Sequence, residues 1–171
     1  MFWSRRRSAF DVGHALYAAA VDQARRPAFY AALGAPDTGN GRFELYSLHV
    51  ILLLHRLKRR GDAAAEAAQA LFDVYVKALD NTLREQGVGD LSVGKKMRRL
   101  GEAFYGRVRS YDAGLEDPAG LPDLIRRTVY ADTDAAAEAL AAYVVRARDA
   151  LASQSDEALL AGQVEWPEVT P

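Results

Sequence analysis

The stretch that most restricts the fold is residues 42–60, RFELYSLHVILLLHRLKRR, which is apolar around most of the circumference of a helix. Its most hydrophobic part, LHVILLLHRL, contains two histidines and an arginine and is about half as long as a helix that crosses a bilayer. A helix with these properties is surrounded by other helices rather than by lipid. The chain is therefore predicted to be built around one central, buried helix.

Apolar residues recur at three- and four-residue spacing along most of the remaining chain, and no stretch alternates for long enough to require a strand. The 171 residues are enough to bury the core of one domain. The predicted fold is an all-α, single-domain orthogonal bundle of about seven or eight helices. Its predicted parts are a basic N-terminal extension (residues 1–8), a helical domain (residues 9–162) and a C-terminal tail (residues 163–171).

Charge is distributed unevenly along the chain, although the formal net charge is −1. Residues 95–109 carry six Lys/Arg against one Asp/Glu, whereas residues 110–171 carry four against twelve. Blocks of opposite sign are most often an ordinary solvated surface, and surfaces with different partners are the alternative. Cysteine is absent, which excludes disulfides and thiolate metal sites.

The segment GVGDLSVGKK, residues 87–96, contains part of the phosphate-binding pattern G-x-x-x-x-G-K-[ST]. Lys96 stands at the hydroxyl position of that pattern, and a long predicted helix precedes it instead of a strand. Nucleotide binding is therefore only an alternative. The favoured interpretation is a corner in which Gly87 ends one helix and Ser92 caps the next. The residues of this predicted structural hinge are Gly87, Gly89, Asp90, Ser92 and Gly94.

No combination of residues indicates catalysis, and no metal or other cofactor is predicted. His49 and His55 are six residues apart, about 240° around a helix, so they cannot converge on one metal ion. Each is interpreted as a hydrogen-bonded polar group in or near the core. A haem-binding protein that uses one of these histidines is a further alternative.

The helix predicted after the corner is half apolar and half basic. Val93 and Phe104 fall on one side, and Lys95 and Arg99 fall on the other. Gly106 lies inside this helix, where glycine costs about 1 kcal/mol relative to alanine, and it therefore predicts a kink or the close approach of another backbone. The basic side could face nucleic acid, anionic lipid or an acidic protein, and the net acidity of the chain argues against nucleic acid.

Within residues 23–109, two segments closely resemble the ubiquinol–cytochrome c chaperone family: QARRPAFYAALGAPDTGNGRFELYSLHVILLLHRLK and AQALFDVYVKALDNTLREQGVGDLSVGKKMRRLGEAFYGR. Members of this family are assembly factors for the cytochrome bc complex, respiratory complex III. The resemblance implies an all-helical protein that is not an enzyme and that binds newly made cytochrome b, with a small helical partner in mitochondrial members. The residues at its motif positions are Phe29, Tyr30, Asp37, Gly41, Arg42, Phe43, Gly87, Gly89, Asp90, Ser92, Gly94, Lys95, Lys96, Phe104, Tyr105, Gly106 and Arg107.

A chaperone that holds a hydrophobic client needs an apolar groove with a polar rim, and here the rim is expected to be basic. No convincing mitochondrial presequence is present, which indicates a bacterial member that works in the cytoplasm, peripherally at the inner membrane. Phe2, Trp3 and residues 5–7 are interpreted as an idle terminus, and contact with anionic lipid is the alternative. The predicted client-binding residues are Tyr30, Phe43, Lys95, Lys96, Arg99, Phe104, Tyr105, Gly106 and Arg107.

Overall fold

The computed structural model describes residues 8–133 and 136–171. In these two ranges the chain forms eight α-helices and one 3₁₀ turn (Pro118–Gly120) and contains no strand, so the predicted all-α class is confirmed. The predicted basic extension lies outside the described residues except for Ser8, which caps the first helix. The helices are α1 (Ala9–Ala24), α2 (Pro27–Ala31), α3 (Gly39–Leu57), α4 (Asp62–Glu85), α5 (Asp90–Glu116), α6 (Leu121–Thr128), α7 (Ala137–Ser153) and α8 (Asp156–Leu160).

Helix α3 is the central helix that the sequence predicts. Residues 48–53 are buried without interruption, which is more than one full turn, so every side of the helix is covered. Helices α1, α4, α5 and α7 all contact it. Each Leu, Ile or Val buried in this way contributes about 1.5–3 kcal/mol of transfer free energy, and α3 therefore organises the core.

Two glycines allow segments of backbone to approach each other closely. A Cβ atom added to Gly13 of α1 would lie 2.6 Å from the carbonyl carbon of Ala70 in α4. A Cβ atom added to Gly41, in the first turn of α3, would lie 1.9 Å from the carbonyl oxygen of Pro36. Both positions therefore require a residue without a side chain.

The corner between α4 and α5 turns at Gly87, which has φ of +78°. The Val88 amide donates to the Leu83 carbonyl (3.1 Å), and the Gly87 amide donates to the Arg84 carbonyl (3.0 Å). This pair of hydrogen bonds defines a Schellman cap. Gly89 follows in an extended conformation and precedes α5 directly. The segment that resembles a phosphate-binding loop thus connects two helices, and a helix rather than a strand leads into it.

The prediction that Ser92 caps α5 is wrong. The helix begins at Asp90, so Ser92 lies inside its first turn, and Gly89 occupies the N-cap position without a side-chain hydrogen bond. Asp90 favours this earlier start because a carboxylate stabilises the N-terminal end of a helix. Its carboxylate also forms an ion pair with Arg84, which holds Asp80 of α4 at 2.7 Å as well.

Replacing Gly87 and Gly94 separately by alanine is expected to change stability in opposite directions. Gly87→Ala places a side chain in the left-handed region and should cost about 1–2 kcal/mol. Gly94 lies inside α5 with no atom within 4 Å of an added Cβ, so Gly94→Ala should stabilise the domain by up to about 1 kcal/mol. Urea unfolding of the two variants measures both changes, and a change of the same sign would contradict these backbone assignments.

Residues 163–171 form no helix, but they pack on the helical domain rather than standing apart as a tail. The indole Nε1 of Trp166 donates to the Ala19 carbonyl at 3.2 Å, and the Trp166 ring centroid lies 5.1 Å from that of His49. The Gln23 amide donates to the Pro167 carbonyl at 3.3 Å. The C-terminal segment is therefore tied to α1 and α3.

Candidate functional site

Three of the predicted client-binding residues are exposed cations on α5. Lys95, Lys96 and Arg99 all lie on its surface, and none of them forms an ion pair with another residue of the two described ranges. Their ammonium and guanidinium groups are therefore available to a partner with negative charge.

Phe104 belongs to the core and not to the surface. It is 2% exposed, and its ring centroid lies 4.7 Å from that of Tyr75 and 5.8 Å from that of Phe72. Aromatic pairs at these distances stabilise the contact between α4 and α5 beyond the burial of apolar area. The prediction that Phe104 contacts a client is therefore corrected, because its position on the inner side of α5 takes the ring out of reach.

Arg107 forms a bidentate ion pair with Glu44 of α3. The Nε–Oε2 distance is 2.9 Å and the Nη2–Oε1 distance is 2.7 Å. Glu44 is 3% exposed, so its buried carboxylate depends on this partner. The hydrogen bond to Glu44 is also the main reason that the pKa of Arg107 is raised. Arg107 joins α5 to α3, which corrects the prediction that it meets acidic segments of a client.

Tyr30 and Phe43 lie apart from the exposed surface of α5. The Tyr30 hydroxyl donates to the Ala24 carbonyl at 3.1 Å, and the ring lines a groove of about 490 Å³ together with Arg42 and Tyr46. Phe43 is half-buried against the core. Neither Phe43 nor Tyr105 lines the groove at Tyr30, so the three predicted groove residues do not form a single groove.

A larger apolar groove, of about 640 Å³, lies between α4 and α5. Its floor consists of Phe72 and Val76 from α4 and of Val93 and Met97 from α5. Gly94 also lines it and leaves open space, since no atom lies within 4 Å of an added Cβ. The groove has a charged rim that consists of Asp73, Lys77, Asp80, Arg84 and Asp90.

Tyr105 extends this apolar surface beyond the groove. It is 57% exposed, and its ring centroid lies 5.9 Å from that of Phe72. Gly106 follows it in an uninterrupted α5, and nothing lies within 4 Å of an added Cβ there. The close approach of another backbone that Gly106 predicts is therefore absent in the described structure.

The sequence did not distinguish Phe72, Val76 and Met97 as groove residues, because they fall on the apolar sides of their helices. The available signal was the width of the apolar arc on α4. The buried positions of this helix, such as Leu71 and Tyr75, occupy one side of it, and Phe72 and Val76 lie beyond that side. When the apolar arc of a helix is wider than the arc that is buried, some hydrophobic side chains remain at the surface.

The two histidines of α3 have different surroundings. His49 is fully buried, with Nδ1 2.8 Å from the Leu45 carbonyl and Nε2 2.9 Å from the Tyr143 hydroxyl, and burial lowers its pKa to about 4. His55 is partly buried and pairs with Asp112 at 2.8 Å. Haem ligation by His49 would require the loss of one of its two hydrogen bonds.

None of the helices in the described residues combines the length and the hydropathy needed to cross a membrane.

A helical bundle that exposes an apolar groove with a charged rim belongs to the class of helical binding proteins. Residues 31–166 match the ubiquinol-cytochrome C chaperone family, and the chain belongs to this family. The resemblance seen in the sequence is thereby confirmed.

Relatives of known structure and sequence agree with this membership. The crystal structure of the Cbp3 homologue from Brucella abortus is similar to this chain with a TM-score of 0.85 and 40% identity, over 94% of this chain and 92% of that one. The ubiquinol-cytochrome c reductase complex assembly factor 1 proteins of Mus musculus and Homo sapiens are each 28% identical to it over 156 residues. That alignment covers 88% of this chain but 53% and 52% of the two relatives, so the chain spans about half their length.

Proposed function

We propose that this chain is an assembly chaperone for the cytochrome bc complex and that its client is newly made cytochrome b. Family membership supports the role in assembly, and the mammalian relatives are described as assembly factors of the ubiquinol-cytochrome c reductase complex. The observation that carries the proposal is the groove between α4 and α5, whose apolar floor is open on the surface. The place of action is the cytoplasmic side of the inner membrane, where the chaperone acts peripherally.

The shape of the groove suits an apolar helical segment of the client. Two helices form its walls, and a third helix laid between them buries its apolar side chains against Phe72, Val76, Val93 and Met97. Such burial contributes about 25 cal/mol for each Å² of apolar surface removed from water. The charged rim stays solvated, so the client is held without being enclosed and can be released.

Individual residues have different roles in this proposal. Gly94 gives the client room at the wall of the groove, and Tyr105 extends the apolar contact along α5. Tyr30 and Phe43 lie outside this groove and would contact a different part of the client. Lys96 is exposed on another side of α5 and would meet an acidic segment of the client.

The test fills the groove without changing the fold. Gly94→Leu projects a side chain into the groove from a helical position with open space around it. Gly106→Leu makes the same change on the same helix at a predicted client-binding residue that does not line the groove, so the pair distinguishes the groove from the client-binding role predicted for Gly106. Tagged wild-type protein and both variants are used to capture binding partners from detergent-solubilised membranes of the source cell. Mass spectrometry of the captured proteins gives the yield of cytochrome b. Circular dichroism of each variant shows whether that variant is folded.

Wild type and Gly106→Leu are expected to capture cytochrome b, and Gly94→Leu to capture roughly tenfold less, equivalent to about 1.4 kcal/mol of binding free energy. A small helical partner, if this chain has one, would be recovered in the same experiment. Equal yields with both variants would rule out the groove. Recovery of the complete respiratory complex, or of no respiratory subunit, would rule out cytochrome b as the client.

A further inference from the structure

The side of α5 that points away from the bundle has an unusual composition. At 100° per residue, its exposed residues fall within an arc of about 120°, opposite the buried Val93 and Phe104. We call the part of this surface between residues 91 and 109 the outer face of α5. Its exposed residues, apart from the acidic Glu102, are Leu91, Lys95, Arg98, Arg99, Tyr105 and Arg109.

The outer face is strongly basic, and its charges serve no contact within the described fold. Between residues 91 and 109, Glu102 is the one acidic residue among four cations, and Glu116 follows on the same side at the end of the helix. None of these six side chains forms an ion pair with another described residue. Other cations of α4 and α5 form ion pairs within the fold. Arg84 binds Asp80 and Asp90, and Arg107 binds Glu44. The charge of the outer face is therefore free to act on a partner.

Two exposed hydrophobic side chains lie on the same face as these cations. Leu91 is 100% exposed and Tyr105 is 57% exposed. They are 14 positions apart in α5, or about 21 Å at a rise of 1.5 Å per residue. Apolar and aromatic anchors between basic side chains are the pattern of helices that lie in a membrane interface, where the hydrophobic groups enter the headgroup region and the cations bind phosphate.

We propose that the outer face of α5 is a docking surface for an anionic lipid bilayer. A bilayer is an extended, nearly flat surface, and the side of one helix that points outward can touch it along its whole length. The uneven charge of the chain supports an anionic bilayer as the partner of this face. Residues 95–109 have six basic residues against one acidic, whereas residues 110–171 have four against twelve, so an anionic surface attracts α5 and repels the C-terminal third.

This contact orients the molecule. The groove between α4 and α5 borders the outer face, because Tyr105 lies on the outer face and also extends the groove from Phe72. When the outer face of α5 rests on a bilayer, the groove therefore lies close to the lipid headgroups. The inference is independent of the identity of the client, because it rests only on charge and exposure.

The experiment measures binding to vesicles that contain no protein. The full chain is sedimented with vesicles of phosphatidylcholine alone and with vesicles of equal amounts of phosphatidylcholine and phosphatidylglycerol. The test variant carries Lys95→Gln, Arg98→Gln and Arg99→Gln. The control variant loses the same charge from exposed residues on other helices or loops, through Arg26→Gln, Arg59→Gln and Arg60→Gln.

Wild type and the control are expected to bind the anionic vesicles and to release them in high salt, and the test variant to bind roughly 100-fold more weakly. Leu91→Ser should weaken binding roughly tenfold, whereas Phe10→Ser, a change at an exposed hydrophobic residue of α1, should not. Equal losses in the test and control variants would overturn the proposal, and so would no binding by wild type. Tighter binding of wild type to polyglutamate than to the vesicles, lost in the test variant, would assign the outer face to an acidic protein instead. Because cytochrome b is absent, failure here leaves the capture experiment unaffected.

Discussion

Arg107→Ala is expected to lower the free energy of unfolding by about 3 kcal/mol, which would reduce the melting temperature by roughly 10 °C for a domain of this size. The reason is the buried carboxylate of Glu44, which is 3% exposed and accepts both of its Arg107 hydrogen bonds at 2.7–2.9 Å. Removing the guanidinium leaves a negative charge without its partner in the interior. The loss measures that uncompensated charge rather than the worth of the pair itself.

Two further variants separate this effect from a loss of surface charge. Arg109→Ala removes an exposed cation two positions along α5 and should change stability by less than about 0.5 kcal/mol. Adding Glu44→Gln to Arg107→Ala removes the buried charge and should restore part of the lost stability. Chemical denaturation followed by circular dichroism compares the set. If Arg107→Ala were as stable as Arg109→Ala, the ion pair would have no structural role, and Arg107 would return to the list of client-binding candidates.

Acidification from pH 6.5 to pH 4 is expected to remove roughly 3 kcal/mol of stability through His49 alone. Burial lowers the pKa of this imidazole from 6.5 to about 4 in the folded protein. Between these two values the unfolded chain binds a proton that the folded chain does not, so stability falls as the pH falls. Well above pH 6.5 the histidine is neutral in both states and has no effect on the pH dependence.

Burial is the reason that the neutral form of His49 is preferred, and its hydrogen bonds determine which nitrogen carries the proton. A carbonyl oxygen only accepts, so Nδ1 carries the proton and donates to Leu45, which leaves Nε2 to accept from the Tyr143 hydroxyl. That hydroxyl in turn accepts from the Gln23 amide at 3.0 Å. A proton on Nε2 would reverse the bond to Tyr143 and leave the hydroxyl hydrogen without its acceptor.

The slope of the unfolding free energy against pH in His49→Gln tests this prediction. The absolute stability of the variant does not. The variant should lose stability at neutral pH because its packing changes, but its stability should fall less steeply between pH 6.5 and pH 4. His14→Gln is the control, since His14 is exposed on α1, and it should keep the slope of the wild type. An unchanged slope in His49→Gln would assign the acid sensitivity to other groups.

The sequence was sufficient to predict those parts of the fold that depend on local pattern. The continuous burial of residues 48–53 follows from an apolar run that no amphipathic helix would contain. The end of α4 follows from Gly87, because few other residues adopt a positive φ at a helix terminus. The start of α5 was predicted less well, since the charge of Asp90 determined it rather than the hydroxyl of Ser92.

The candidate site was harder to predict because its residues are distinguished by their tertiary neighbours. Periodicity places Arg107 and Arg109 on different sides of α5, but only the position of Glu44, 63 residues away in sequence, shows that Arg107 is held in an ion pair. Phe104 and Tyr105 are adjacent aromatic residues, but Phe104 points into the core and Tyr105 points out of it. Phe72 and Met97 lie on the apolar sides of their helices, and periodicity does not show how closely two such sides pack.

The docking of Trp166 and Pro167 on α1 determines when this domain can finish folding. These hydrogen bonds join residues 147 and 144 positions apart, and Trp166 also covers the ring of His49 in the central helix. A ribosome therefore adds Trp166 147 residues after Ala19. The helices formed in between wait with part of α1 and α3 uncovered until residue 167 has left the exit tunnel.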